Sequence, residues 1–576
     1  MIFEARDELV KAIKEAAHSL WKIDVKPELT IPDNLQFGDL SSNLPFQLAR
    51  ELRRPPKEIA SEIAGRIELP AAFSTVRPEG AGFLNFYYSD VFLREVLAQV
   101  AAEPRILGRI GSHKGKYQIE YVSANPTGPL NVVSARAAAV GSSLVNILRF
   151  AGYDVRSEYY LNDAGNQIKE LTVSFILRVL ELKGFSIEFG MDGYRGDYLA
   201  DEAVFFTDTE PEKTGQLFKL LSDNLGGTIT SEWVTGFFTI TGNEEKKRLF
   251  SALREWIVDR MIAGIRETLE AFGTNIDEYY RETRLRAGKK VDETLELLRK
   301  KGGTIIQDGA EWFDTSKVDP NEQAFVLVKS DGEWTYGAVD IAYHRDKIAR
   351  GFDHIYDIWG PDHHGHIGRM KAAMKTLGFC GVFDVLTLQQ VNLLEGGEKV
   401  KMSKRSGNIV TLAELLADVG ADVARFFFTA RRMEAHLDFD LDLARKETDE
   451  NPVFYIQYAH ARICGILEHA RISGRDVRSA GKRDFAMLVH PEEMALARKI
   501  AQLPYVLSKC ALEMSAHYLC FYLLELAQTF HPFYAKHRIV GPDEELTTAR
   551  LALCHSIKQT LSLGLDMLGI SSPENM

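Results

Sequence analysis

Apolar and polar positions along the chain fall into three textures. The opening segment, MIFEARDELVKAIKEAAHSLW, places Leu9, Ile13, Ala16 and Leu20 on one face of an amphipathic helix. A second helical pattern follows the loop at residues 33–44, and AGFLNFYYS (81–89) alternates as a strand does, so residues 1–115 predict a small α+β domain. From 116 to 385 strand and helix patterns alternate, the order of a doubly wound parallel sheet. Tyr117, Ile119 and Tyr121 alternate as a strand, which Pro126, Gly128 and Pro129 break. Asn131 is then placed to cap a helix bearing Ala135, Ala137, Ala138, Ala139 and Gly141, side chains small enough for close packing on a sheet. Residues 155–168 give a further strand, loop and helix start; apolar residues from Phe325 to Val328 precede a turn at Ser330-Asp331-Gly332, and Trp334–Ala342 and His354–Trp359 read as strands, the last a central one. Residues 184–250 carry no clear period and read as an insertion in the sheet domain. Residues 386–445 predict a hairpin, a glycine-flanked basic loop and connecting helix, and 446–576 an all-helical bundle.

Composition narrows the class. A chain of 576 residues with 45% hydrophobic and 26% charged residues describes several globular domains with real cores. No apolar run approaches the length of a membrane span, and the mixed-charge N-terminus is a folded helix rather than a signal peptide. The five cysteines are scattered without a CxxC pair, which points to a reducing cytoplasm and no structural zinc. A net charge of −12 disfavours a nonspecific polyanion binder but leaves room for one nucleic acid bound through a local basic face.

Five constellations carry chemistry. A strand feeding a helix N-terminus presents free N–H groups to an anion, so residues 125–134 are a phosphate-site candidate. In KMSKRSGN (401–408), Lys401 and Lys404 share a loop with Ser403, and two such cations suit charge that develops on a leaving pyrophosphate. Asp362, His363, His364 and Gly365 form a turn after a strand; they offer either metal ligands or the polar lining of a nucleotide pocket, and adjacent histidines rarely converge on one ion. Glu120, Tyr336 and Asp340, read as lying at adjacent strand ends, would suit a guanidinium, although spacing alone equally allows surface acids. In the bundle, Tyr455, Tyr458 and Arg462 recur at helical spacing, either as core or as a platform for unpaired bases.

ANPTGPL (124–130), the Ala135-Arg136 pair after it and KMSKR (401–405) together resemble a class I aminoacyl-tRNA synthetase. FGDLSSNLPFQLA (37–49), EYYLNDAGNQI (158–168), GPDHHGH (360–366), ADVARFFF (421–428) and NPVFYIQYAHARI (451–463) narrow the resemblance to the bacterial arginyl-tRNA synthetases. The resemblance implies a Rossmann catalytic core between an N-terminal tRNA-binding domain and a C-terminal helical anticodon-binding domain, in a cytoplasmic monomer. It implies arginine, ATP with nucleotide-bound Mg²⁺, and an arginine tRNA as partners, the tRNA being required before arginine is activated. By matching position, Glu120, Asn125, Tyr336 and Asp340 would hold arginine. Asn125, Pro126, Thr127, Gly128, Asp362, His363, His364, Gly365 and Ser403 would line the ATP, and Lys401 and Lys404 would face its phosphates. Tyr455, Tyr458 and Arg462 would meet tRNA.

One departure stands out. The family's His-x-Gly-His signature reads Asn131-Val132-Val133-Ser134 here, so both imidazoles and the glycine that makes room for adenine are replaced. Asn131 and Ser134 keep hydrogen-bonding side chains in the two catalytic positions. The rival expectation is therefore a synthetase-like module that holds tRNA with weak or lost arginine activation.

Overall fold

In the computed structural model the described residues are 1–32, 37–108, 110, 115–221, 227–239, 243–400, 410–475 and 482–576, except for the side chains of His364 and residues 482–484. The chain divides into two compact units, one of residues 1–114, 146–153 and 446–576, the other of residues 115–145 and 154–445.

In the first unit, a three-stranded antiparallel sheet has Phe83–Tyr88 between Leu40–Ser42 and Phe73–Glu79. The helices Pro452–Ile472, Pro491–Leu512, His517–Lys536 and Glu544–Leu568 form the C-terminal bundle. Residues far apart in sequence join the two parts: Tyr88 and Tyr505 share a hydroxyl contact of 3.1 Å, Arg94 donates to the Leu488 carbonyl at 2.8 Å, and Arg498 lies 3.5 Å from buried Asp39.

The second unit is built on five parallel strands. In chain order its main elements are β1 Lys116–Glu120, α1 Val132–Phe150, β2 Asp154–Leu161, α2 Asn166–Leu182, β3 Glu278–Arg281, α3 Tyr336–Ala349, β4 His354–Trp359, α4 His364–Leu377 and β5 Val382–Thr387. The strand order is β5-β4-β1-β2-β3. The chain leaves β1 in one direction and returns on its other side as β4, so the strand order reverses between β1 and β4. In such sheets the crevice beyond the C-terminal strand ends at that switch point is where ligands bind. The small residues of α1 bring it close against the chain leaving β1: a Cβ at Gly141 would lie 2.3 Å from the buried Tyr121 ring.

Three expectations change. Trp334–Ala342 is not a strand; from Tyr336 it is the helix α3. Ala338, Val339, Ile341, Ala342 and Tyr343 are all buried, so the run shows neither helical nor strand periodicity clearly, and length rather than alternation decides. Residues 184–250 carry the helices Asp197–Thr209, Pro211–Leu221 and Ser231–Thr239 and the start of Glu244–Ala271. Residues 386–445 hold more strand than a hairpin, loop and connecting helix, because Leu437–Asp440 pairs in parallel with Val391–Glu395.

Register places three carboxylates side by side across the sheet. Glu120 on β1 faces Asp357 on β4 and Glu158 on β2, and neighbours in a parallel ladder project to the same side. Helix α3 covers that side. Lys347 donates to Glu120 at 2.6 Å and to Asp357 at 2.7 Å, and both Lys347 and Asp357 are fully buried. His344 Nε2 lies 2.7 Å from Asp357, and Arg350 pairs with Glu158 through both terminal nitrogens. Both ring nitrogens of His344 face oxygens, Nδ1 lying 2.7 Å from the Asp340 carbonyl. Burial works to raise the Asp357 carboxyl, but Lys347 and His344 outweigh it and hold the group at about 2. Burial raises Glu120 more than Lys347 lowers it.

Breaking such a pair leaves an uncompensated buried charge. Asp357→Asn is expected to cost about 3 kcal/mol and lower the thermal midpoint of this unit at pH 7 by several degrees. A depressed carboxyl contributes stability above its unfolded value near 4 and loses it as pH falls through about 2. The gap between wild type and Asp357→Asn should therefore close over that window in calorimetric scans; a gap that stays constant through it would refute the pairing.

Candidate active site

The crevice wall begins where β1 ends. Val122 (φ 71°) and Ser123 (φ 39°) turn left-handed just after Tyr121, a costly conformation for a β-branched residue and one held only where neighbours impose it. Ser123 Oγ donates to Glu120 at 2.7 Å and accepts from the Tyr160 N–H at 3.0 Å, which fixes the turn. The Tyr159 hydroxyl donates to the Ala124 carbonyl at 2.8 Å. Asn125 follows, donating to Gln167 at 2.6 Å, then buried Pro126. Thr127 and Gly128 lie under Tyr198 of the 184–250 insertion. The Tyr198 hydroxyl donates to the Thr127 carbonyl at 2.7 Å, and a Cβ at Gly128 would lie 3.1 Å from that oxygen.

Helix α1 starts as its sequence directs. The Asn131 side-chain oxygen accepts from the Ser134 N–H at 3.0 Å and caps the first turn. Val133 is 41% exposed on that turn, so its branched side chain occupies space that the family's glycine leaves open. The Leu412 N–H donates to the Leu130 carbonyl at 2.7 Å, and Asn131 forms an isolated β-bridge with Thr411. Lys401, Ser403 and Lys404 lie outside the described residues. The described chain re-enters at Val410 and is bonded within two residues to the start of α1. Two buried arginines fix the surrounding scaffold. Arg136 donates to the carbonyls of Gln389, Arg432 and Ala435 at 2.8, 2.9 and 3.1 Å, and Arg425 to Phe272 and Ser142 at 2.8 and 2.7 Å. Burial lowers both guanidinium groups to about 10.

Tyr336 and Asp340 sit on helix α3, not on a strand end. Tyr336 is 70% exposed at the helix start, while the Asp340 carboxylate is met by His366 Nε2 at 3.2 Å. Both Glu120 and Asp340 act on the buried Tyr160 phenol, which burial first and then Glu282 and Asp340 push far up. The Tyr160 hydroxyl itself donates to Glu282 at 2.9 Å. Asp362 and His363 are exposed in the short turn after β4, and Gly365 is exposed in the first turn of α4. Trp359 packs between His363 and His366, with ring centroids 6.0 and 5.7 Å away. Among the described residues, no group of three or more His, Cys, Asp or Glu side chains is arranged to hold a metal ion.

Sequence reasoning missed Tyr343, Lys347, Glu158, Asp357 and the Asp340–His366 contact. Positions 336, 340, 343 and 347 follow the i, i+4, i+7, i+11 spacing of one helical face, a signal hidden by reading the segment as a strand.

In the C-terminal bundle, Tyr458, Arg462, His469, Tyr534, His537 and Arg538 line a cavity of about 910 Å³. The Arg462 guanidinium lies 4.9 Å from the Tyr458 ring and 5.0 Å from the Tyr534 ring, and donates to the Tyr534 hydroxyl at 3.1 Å. Tyr455 packs instead on His531 at 4.6 Å. Phe530 and Phe533 are fully buried core residues.

Residues 5–88 match the family model of the arginyl tRNA synthetase N-terminal domain, residues 228–433 that of the class I (R) tRNA synthetase catalytic domain, and residues 456–576 that of the DALR anticodon binding domain. The chain is 39% identical to the arginine–tRNA ligase of Carboxydothermus hydrogenoformans, over 99% of this chain and 98% of that one. It is also 39% identical to the arginine–tRNA ligase of Bacillus subtilis, over 95% and 94%. Its fold aligns with Thermus thermophilus arginyl-tRNA synthetase at a TM-score of 0.74 and 24% identity, over 99% of this chain and all of that one. With this likeness running through sheet, crevice and bundle alike, the chain belongs to the arginyl-tRNA synthetase family.

Proposed function

We propose that this protein is an arginine–tRNA ligase that works through its altered signature. It activates arginine with ATP and passes the arginyl group to the 3′ end of its tRNA. The observation that carries this reading is the β1/β4 switch point of the parallel sheet, with Glu120 at the end of β1 and the Asn131-capped start of α1 following it in the chain.

Asp340, steadied by His366, offers a carboxylate edge to a guanidinium, with Tyr336 beside it at the mouth of the site. Glu120 and Asn125 take the amino-acid end. ATP would enter as its magnesium complex, whose ion neutralises phosphate charge. Pro126, Thr127, Gly128, Asp362, His363, His364, Gly365 and Ser403 line the nucleotide. An arginine carboxylate oxygen bonds to the α-phosphorus as the bond to the β-phosphate oxygen breaks, giving arginyl-adenylate and pyrophosphate.

Negative charge growing on the pyrophosphate meets Lys401 and Lys404, the Asn131 amide, the Ser134 hydroxyl and the positive end of α1. The 2.7 Å bond from Leu412 to Leu130 favours this arrangement, because it ties the chain just beyond the lysine loop to the helix start. Arg462 between Tyr458 and Tyr534, with Tyr455 nearby, forms a stacking surface for unpaired tRNA bases. The protein acts in the cytoplasm as a monomer.

Charging of an arginine tRNA transcript with labelled arginine tests the reading: product stable to acid and released by mild base is expected, and its absence with a folded enzyme refutes it. Asn131→Ala should lower kcat of charging roughly a hundredfold through the lost donor and cost about 1 kcal/mol of helix capping. Restoring the signature with Asn131→His, Val133→Gly and Ser134→His together should raise kcat; a fall would mean that the pocket is rebuilt around the present residues. Arg462→Ala should raise KM for tRNA about tenfold, with the effect on KM rather than kcat, as steady-state titration with tRNA would reveal.

A further inference from the structure

Helix α3 joins two groups that the reaction needs at a fixed separation. Its exposed N-terminal end carries Tyr336 and Asp340, and the next two turns of the same face carry Tyr343 and Lys347. It leads through residues 350–353 directly into β4, so it runs back along the sheet with Tyr336 and Asp340 toward the C-terminal strand ends. Tyr343 and Lys347 grip Glu120. The Tyr343 hydroxyl lies 2.9 Å from Glu120 Oε2 and also touches Glu158, while Lys347 reaches the same Oε2 at 2.6 Å and is itself held by Asp357. Burial first, and then the two carboxylates, raise the Tyr343 phenol well above its ordinary range, so it remains a donor. Ser123 takes the other oxygen, Oε1, leaving Glu120 little freedom to turn.

We propose that Tyr343 and Lys347 are positioning residues for arginine activation, making Glu120 and Asp340 a single rigid gauge for arginine. This rests on the reading that Glu120 and Asp340 bind arginine. Neither Tyr343 nor Lys347 touches substrate; each acts by denying Glu120 any other rotamer. Arginine is selected by the distance between its two charged ends, and that distance is set by one rigid helix docked on a row of carboxylates.

Tyr343→Phe is the cleanest probe. It removes one hydroxyl and keeps the ring against Tyr160 and Tyr280, whose centroids lie 4.4 and 5.0 Å away. Kinetics of arginine-dependent ATP–pyrophosphate exchange with tRNA present should show KM for arginine raised roughly ten- to a hundredfold, the range for loss of a hydrogen bond to a charged group. KM for ATP and the thermal midpoint should stay close to wild type, and the preference for arginine over homoarginine, one methylene longer, should narrow. An arginine KM within twofold of wild type in Tyr343→Phe, while Glu120→Gln raises it, overturns the positioning role and leaves the arginine site standing. A fall in kcat with a lowered midpoint and no KM split assigns Tyr343 to packing and overturns it too. If Glu120→Gln itself leaves the arginine KM unmoved, the site reading fails and the gauge with it.

Discussion

The catalytic unit depends on the contact between the buried carboxylate row, Asp357–Glu120–Glu158, and the cations of helix α3. Three acids on adjacent parallel strands repel one another and lose hydration on burial, so the sheet needs a cationic cover on that face. Lys347, His344 and Arg350 supply it with distances of 2.6–2.8 Å. An apolar helix could slide by a turn at modest cost, whereas a helix whose lysine must meet two named carboxylates has one register. Apolar residues of similar volume can equal such a network in stability, but they would not set the register of the helix that carries Tyr336 and Asp340.

The same logic explains the strain after β1. Val122 and Ser123 adopt left-handed backbone because Ser123 must reach both Glu120 and the Tyr160 N–H. From there the chain passes beneath Tyr198 and enters α1 through the Asn131 cap. The altered signature sits on an intact scaffold: the cap forms, and Leu412, beyond the KMSKR motif in sequence, is bonded to the Leu130 carbonyl. What changed is the donor set and the bulk of Val133, with the architecture that presents them retained.

Much of this was legible from sequence. The alternating strand and helix patterns of residues 116–385 gave the parallel sheet, the Pro/Gly break and Asn131 gave the loop and cap, and the motif blocks gave the family. Helix α3 was misread because nearly all its sides are buried, which erases amphipathic contrast. Lys347 and Asp357 were invisible as a pair because only register brings positions ten residues apart together across a helix–strand boundary. The strand Leu437–Asp440 was lost in a helical neighbourhood, since four residues are too few to set a period. Arg136 stood inside a recognised motif, yet nothing local indicated that it holds three carbonyls of residues 389–435.

The central claim is that the crevice activates arginine despite Asn131-Val132-Val133-Ser134. Arginine-dependent exchange of pyrophosphate into ATP, followed with and without an arginine tRNA, measures that step alone. The account predicts exchange that requires arginine and appears when tRNA is present. No exchange in the presence of a tRNA that demonstrably binds would contradict it.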